Sequence, residues 1–263
     1  MVIKQGMKGT AVADWQSFLK SQGFAVKVDG DFGKITTAAT KEFQKEHGLK
    51  DDGIVGEKTW EAAKNAGHEP SKPKENGITA EMLRKIFPGT KAELRNRFLA
   101  PLNLHLQEYK ITSKAEVAAF LATGGIETDY LRTTVEYASG RAYEGRKDLG
   151  NTQAGDGPKF KGHGFFQTTG RYNHKRVTQA TFAKLGIDFE KEPRRLAEID
   201  IAVESALIFW RDNDLSKWAK KKDFFGVSGK VNRGDAKKKA LHYEKRLALY
   251  NKCMSVLPEK IFS

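Results

Sequence analysis

The sequence predicts a mainly α-helical chain in two parts. A small three-helix domain occupies 1–67, a linker 68–77, and a larger helical domain 78–263. Three observations predict this. Apolar residues recur at helical spacing in both parts: Val12, Trp15, Phe18 and Leu19 early, Val117, Phe120 and Leu121 later. The stretch from His68 to Gly77 is polar, holds Pro70 and Pro73, and shows no periodicity. Few runs alternate with period two, and a short β-hairpin within 130–165 is the only strand structure expected.

The first domain contains an internal repeat. Asp29-Gly30-Asp31-Phe32-Gly33-Lys34-Ile35-Thr36 returns as Asp52-Gly53-Ile54-Val55-Gly56-Glu57-Lys58-Thr59. Each copy reads as an Asp-Gly turn, a short apolar stretch, a second glycine and a helix entry. One entry leads to Phe43-Gln44, the other to Trp60-Glu61-Ala62-Ala63, and the stripe at Val12–Leu19 supplies a third helix. With Gly6-Met7-Lys8-Gly9 and Trp15-Gln16, these features resemble the small peptidoglycan-binding domain of cell-wall hydrolases over nearly all of 1–65. The resemblance implies peptidoglycan as the partner of the domain as a whole; the aspartates and glycines themselves read as turn builders.

The second part opens at Ile78-Thr79-Ala80-Glu81, where Thr79 suits an N-cap. Pro88-Gly89 interrupts, and helices are expected over 94–109 and 114–122. After a loop-rich middle at about 128–172, helical patterns resume at 177–185, 195–212 and 236–254. Gly124-Gly125 follows Ala122-Thr123 and either ends its helix or lets something approach the backbone closely. Glu127 thus projects from a rigid, buried element into a gap, where apolar surroundings would keep an acid protonated.

Chemistry concentrates between that helix and residue 173. The loops hold Glu136-Tyr137-Ala138-Ser139-Gly140, Tyr143-Glu144-Gly145-Arg146 and Leu149-Gly150-Asn151. Gly155-Asp156-Gly157 follows, and Gly162-His163-Gly164-Phe165-Phe166-Gln167-Thr168-Thr169-Gly170-Arg171-Tyr172-Asn173 closes the region. Aromatics, amides and glycines on long loops suit a groove that stacks on sugar faces and bonds hydroxyl and acetamido groups. Two carboxylates beside such a groove are the equipment of glycoside hydrolysis: one donates a proton to the leaving oxygen, the other activates water or attacks carbon.

In this order the motifs resemble glycoside hydrolase family 19, the chitinase and lysozyme-like group, in its phage endolysin form, over roughly 78–255. The resemblance implies a lysozyme-like α-helical catalytic domain that inverts configuration, with carboxyls roughly 6.5–9.5 Å apart. Carried over residue by residue, it implies Glu127 as general acid, Glu136 as the base and Thr169 as the hydroxyl that positions water. It implies substrate contacts at Gln167, Tyr172, Asn173 and, more loosely, Asn232, with Tyr137, Glu144 and Arg146 as further candidates. Glu144 is a rival for the base, and alternatively a scaffold residue paired with Arg141 or Arg146. His163 departs from the pattern, standing where arginine is common.

Charge and composition bound the partners. Of the +13 net charge, 1–67 contributes almost nothing, with 10 Lys+Arg against 9 Asp+Glu. A basic catalytic domain favours anionic walls or outer-membrane lipids; no motif supports specific nucleic-acid binding. The basic segment 237–250 is expected to pack on its own domain with a solvated face. Cys253 is the single cysteine, which excludes an internal disulfide and reads as packing. The six histidines show no His-x-x-x-His pattern, with His163 and His174 isolated, so neither a metal nor another cofactor is expected. There is no run of about 18 apolar residues and no secretory leader. The expectation is a monomer made in a host cytoplasm that reaches periplasmic peptidoglycan after membrane permeabilisation. Three alternatives stand beside wall lysis: chitin hydrolysis by the same residues, a zinc peptidase or amidase, and a non-catalytic wall-binding protein.

Overall fold

A computed structural model of the chain describes residues 2–68 and 77–262. It divides into two compact units, 1–76 and 77–263. Most of the expected linker, 69–76, lies outside the described residues. No helix among them is long and apolar enough to cross a membrane.

The first unit packs α1 (Thr10–Ser21), α2 (Lys34–Glu46) and α3 (Glu57–Asn65). Trp15, Leu19, Phe32, Phe43 and Val55 are fully buried at their junction. The repeat is visible as two copies of one hydrogen-bonding device. Gln16 Nε2 donates to Asp29 Oδ1, the Asp31 carbonyl and Thr36 Oγ1, while its Oε1 accepts from Asp29 N and Gly30 N. Gln44 does the same for the second turn, donating to Asp52 Oδ1, the Ile54 carbonyl and Thr59 Oγ1 and accepting from Gly53 N. Each buried amide satisfies turn groups that the isolated bridges beside them, Lys8 with Asp31 and Ile3 with Val55, leave unpaired. His68, expected at the start of the linker, belongs to this unit instead: its ring packs against Phe18 and Trp60, and its Nε2 lies 3.2 Å from the Asp14 carboxylate.

The second unit is helical, as expected, and is built around α7. Its helices run α4 (Ala80–Ile86), α5 (Ala92–Asn96), α6 (Leu99–Glu108), α7 (Lys114–Glu127) and α8 (Asp156–Lys159). They continue with α9 (Arg171–Leu185), α10 (Ile199–Asp212), α11 (Ser216–Ala219), α12 (Phe224–Arg233) and α13 (Tyr243–Val256). Thr79 Oγ1 accepts from Met82 N and caps α4. The single helix expected at 94–109 is two, α5 and α6. Pro101 explains the break: it has no N–H to donate, and its ring excludes the carbonyl four residues back, at Arg97.

Ser113 caps α7, accepting from Glu116 N, and donates to the Glu116 carboxylate. Every residue from Ala115 to Gly125 is buried, with α13 lying along the helix. The glycine pair does not end α7. An added Cβ on Gly124 would stand 1.9 Å from the Phe165 ring, and one on Gly125 would stand 2.6 Å from Phe87. The glycines therefore admit two aromatic rings against the backbone.

Two helical expectations shift. Over 236–254 the helix starts only at Tyr243. The segment Phe224–Arg233, for which the sequence pattern assigns no element, forms α12, capped by Asp223 and stopped by Gly234 in the left-handed region. Its glycines hide it from a propensity reading, yet both face neighbours: a Cβ on Gly229 would stand 2.3 Å from the Lys238 carbonyl, and one on Gly226 would stand 2.7 Å from Trp218. The expected hairpin reduces to isolated antiparallel bridges, Val135 with His163 and His163 with Thr168. Cys253 is buried in the core, which pushes its thiol well above the usual range.

Candidate active site

Two carboxylates reach one cleft of about 700 Å³ by different routes. Glu127 is the last residue of α7 and inherits that helix's rigidity. The chain then turns through Asp129, Tyr130 and Leu131, all with positive φ (46°, 58° and 68°). Three successive side-chain-bearing residues in this region carry strain of about 1–3 kcal/mol each. The turn is held by Thr128 Oγ1 donating to the Gly124 carbonyl and Thr90 Oγ1 donating to the Tyr130 carbonyl.

Glu136 arrives on the loop beyond. Its backbone N–H donates to the Gly162 carbonyl, and Lys161 Nζ donates to the Glu136 carbonyl. Its carboxylate accepts from Tyr143 Oη at 2.9 Å on Oε1 and from Gly162 N at 2.9 Å on Oε2. Burial, then the bond to Glu136 and that residue's charge, push the Tyr143 phenol up to about 12. Tyr143 therefore remains a donor at neutral pH. Glu127 lines the same cleft as Tyr143 and Glu136.

Glu127 is not in purely apolar surroundings. Arg246 of α13, only 3% exposed, donates from Nη2 to Glu127 Oε1 at 2.7 Å and from Nε to the Leu241 carbonyl. Sequence reasoning missed Arg246. A signal existed, because Arg246 occupies the same helical stripe as the buried Leu249, Tyr250 and Cys253.

The opposite wall comes from the loop after His163. Thr169 lines the cleft and donates its hydroxyl proton to the Gln167 carbonyl, which leaves the oxygen free to accept from a water. Gln167, with φ 53°, donates to the Gly164 carbonyl, and Asn173 donates to the Thr169 carbonyl. Gly162 leaves room for these side chains: a Cβ would stand 2.5 Å from Gln167 Oε1 and 3.2 Å from Glu136 Oε2 and would displace the Gln167 amide. Tyr137 stands at the rim, 75% exposed, its hydroxyl on Asp129. Asn232, at the C-terminal end of α12, accepts from Leu241 N and lines the cleft from the α13 side.

Three candidates do not line the cleft. Glu144 accepts from Gly155 N on Oε1 and Gly157 N on Oε2. Both oxygens are engaged by the backbone of the 155–157 loop, outside the cleft lining; its partners are these glycines, in place of the arginines expected. Arg146 is engaged by Asp148, at 2.7 and 2.5 Å. Tyr172 is exposed and lays its ring over Gly150, where a Cβ would stand 2.7 Å from it. His163 and His174 are not isolated. Both are buried, their rings meet at 3.3 Å between His174 Nε2 and His163 Nδ1, and burial pulls each down to about 4.

The arrangement is a cleft of sugar size, with one carboxyl on a helix end, a second on a loop, and a water-accepting hydroxyl beside them. The fold it sits in is that of the family 19 chitinases. A bacterial family 19 chitinase superposes with a TM-score of 0.54 at 20% identity, covering 71% of this chain and 97% of that one. Residues 8–63 match the family described as putative peptidoglycan binding domain. The spore cortex-lytic enzyme of Bacillus cereus is 48% identical over 59 residues, 22% of this chain and 23% of that protein. A glycosyl hydrolase family 19 domain-containing protein of Haemophilus influenzae is 34% identical over 83 residues, 31% of this chain and 38% of its own length. The chain thus spans well under half the length of these curated relatives.

Proposed function

We propose that this chain is a bacterial cell-wall hydrolase that cuts β-1,4 glycosidic bonds in the glycan backbone of peptidoglycan. One observation carries the reading: Glu127 and Glu136 enter the same cleft with different partners. Glu127, braced by Arg246 through Oε1, acts as general acid and protonates the leaving oxygen. Glu136, aimed by Tyr143 and Gly162, acts as general base on a water that also donates to Thr169. Attack from the face opposite the leaving group inverts the anomeric centre. Gln167, Asn173, Asn232 and Tyr137 contact the sugars. The 1–76 unit holds the polymer, which raises the local concentration of cleavable bonds. A role in phage-driven host lysis belongs to the same proposal, with synthesis in the host cytoplasm and access to the wall through a permeabilised membrane. Contact with anionic lipids through the basic second unit belongs to it as well. Both rest on the motif resemblance and the charge distribution.

The test is Glu127→Gln in the full chain. Release of new reducing ends from purified peptidoglycan should fall at least about 10³-fold while sedimentation with walls persists. Wild-type protein that frees stem peptides and leaves glycan strands whole would overturn the reading. Mass spectrometry of the products reads which sugar carries the new reducing end, and a parallel digest of chitin distinguishes a chitinase.

A further inference from the structure

Away from the cleft, α6 and α10 bring a histidine and two glutamates together. His105, Glu108 and Glu204 each present a ligand atom, and these atoms lie within 4.8 Å of one another. We propose that this cluster is a site for a divalent transition-metal ion, with zinc the best match, that ties α6 to α10.

Four observations support it. The spacing His105-x-x-Glu108 puts both side chains on one face of α6, so a single helix offers two ligands. Glu204 reaches the cluster from α10, is 96% buried on its relative exposure of 4%, and keeps Oε2 without a hydrogen-bond partner. A buried carboxylate oxygen left unbonded is costly, and coordination would satisfy it. The His105 ring, 1% exposed, has Nδ1 on the Glu108 side at 2.9 Å and Nε2 3.0 Å from Asp200 Oδ1. With a metal on Nδ1, Nε2–H donates to Asp200, the outer carboxylate that orients ligating histidines in known sites. One imidazole and two carboxylates suit zinc, and water completes the coordination.

Without metal, Lys184 holds the place of the cation. Its Nζ lies 2.9 Å from Glu204 Oε1 and 3.8 Å from Glu108 Oε2. The lysine is half-exposed at the C-terminal end of α9 and can swing into solvent, whereas the glutamate is fixed. Two carboxylates, from Glu108 and Glu204, face this one ammonium, so a dication replaces it with better charge balance.

The experiment uses the untagged full chain stripped with chelator and titrated with zinc against a chromophoric competitor. One-to-one binding is expected, with a rise in thermal midpoint. Cobalt in place of zinc should give the visible absorption of a low-coordinate site. Glu204→Gln should weaken zinc at least tenfold, and Lys184→Met, which removes the competing ammonium, should tighten it about tenfold. No one-to-one complex, or affinity untouched by Glu204→Gln, overturns the proposal. Should Glu204→Gln fail to fold, Lys184→Met decides: unchanged affinity rejects the site.

Discussion

Arg246 Nη2 donates to Glu127 Oε1 at 2.7 Å across 119 positions of sequence, from a side chain with almost no solvent exposure. Arg246→Gln removes the donors to Glu127 Oε1 and to the Leu241 carbonyl, so it should lower stability by about 1–3 kcal/mol and kcat by about 10²-fold, with KM little changed. Denaturant midpoints and initial rates on purified peptidoglycan check both, and a kcat equal to wild type would show that the arginine does not hold the acid.

Glu136 and Glu144 separate cleanly. Glu136→Gln should lose about 10²–10⁴ in kcat with little change in thermal midpoint. Glu144→Gln replaces an oxygen that accepts from Gly155 or Gly157 with a donor, so it should cost about 2 kcal/mol in stability. Its activity below the melting range should stay within a few-fold of wild type. The reverse pattern would make Glu144 the base.

The buried histidine pair sets an acid limit. His163 and His174 sit at about 4 when folded, against 6.5 when unfolded, so the unfolded chain binds more protons between those values. Their contribution is present above pH 6.5 and is lost as pH falls towards 4, on the order of 3 kcal/mol for each ring. Chemical denaturation across pH 4 to 7 should show this slope, and His174→Gln should make it shallower by roughly half.

Gly124→Ala tests the ring contact inside α7. Alanine is the better helix former by about 1 kcal/mol, yet its methyl would collide with Phe165. Overpacking should win, with a net loss of about 2 kcal/mol in calorimetric stability. A stabilised variant would mean that the ring moves freely.

Much of this was legible because it is local. The repeated Asp-Gly turns, the Thr79 cap and the stripe at Val12–Leu19 are written within a few residues each. The carboxylates at 127 and 136 stand out against a loop rich in glycine. What could not be read depends on partners distant in sequence. Helix α12 does not stand out in the sequence, because the reason for its Gly226 and Gly229 lies in Trp218 and the Lys238 carbonyl, which press on them from elsewhere in the chain. Glu144 looks like a match for nearby arginines, while its carboxylate turns to two backbone N–H groups. His105, Glu108 and Glu204 escape a search for paired histidines because the third member is on another helix. Arg246 was hidden by its neighbours, since one arginine among many basic residues looks like solvated surface.

The helix that carries Arg246 has a bearing on timing. α13 packs against α7, and its Arg246 lines the cleft together with Leu241 and His242, which lie just ahead of the helix. A nascent chain emerging from the ribosome would form its wall-binding unit long before residue 246 appears. It would already display Glu127, but without the guanidinium that fixes that side chain. The partner that fixes Glu127 is therefore absent until translation has delivered residues 243–256, so the first unit and the Glu127 helix both precede the contact that completes this side of the cleft.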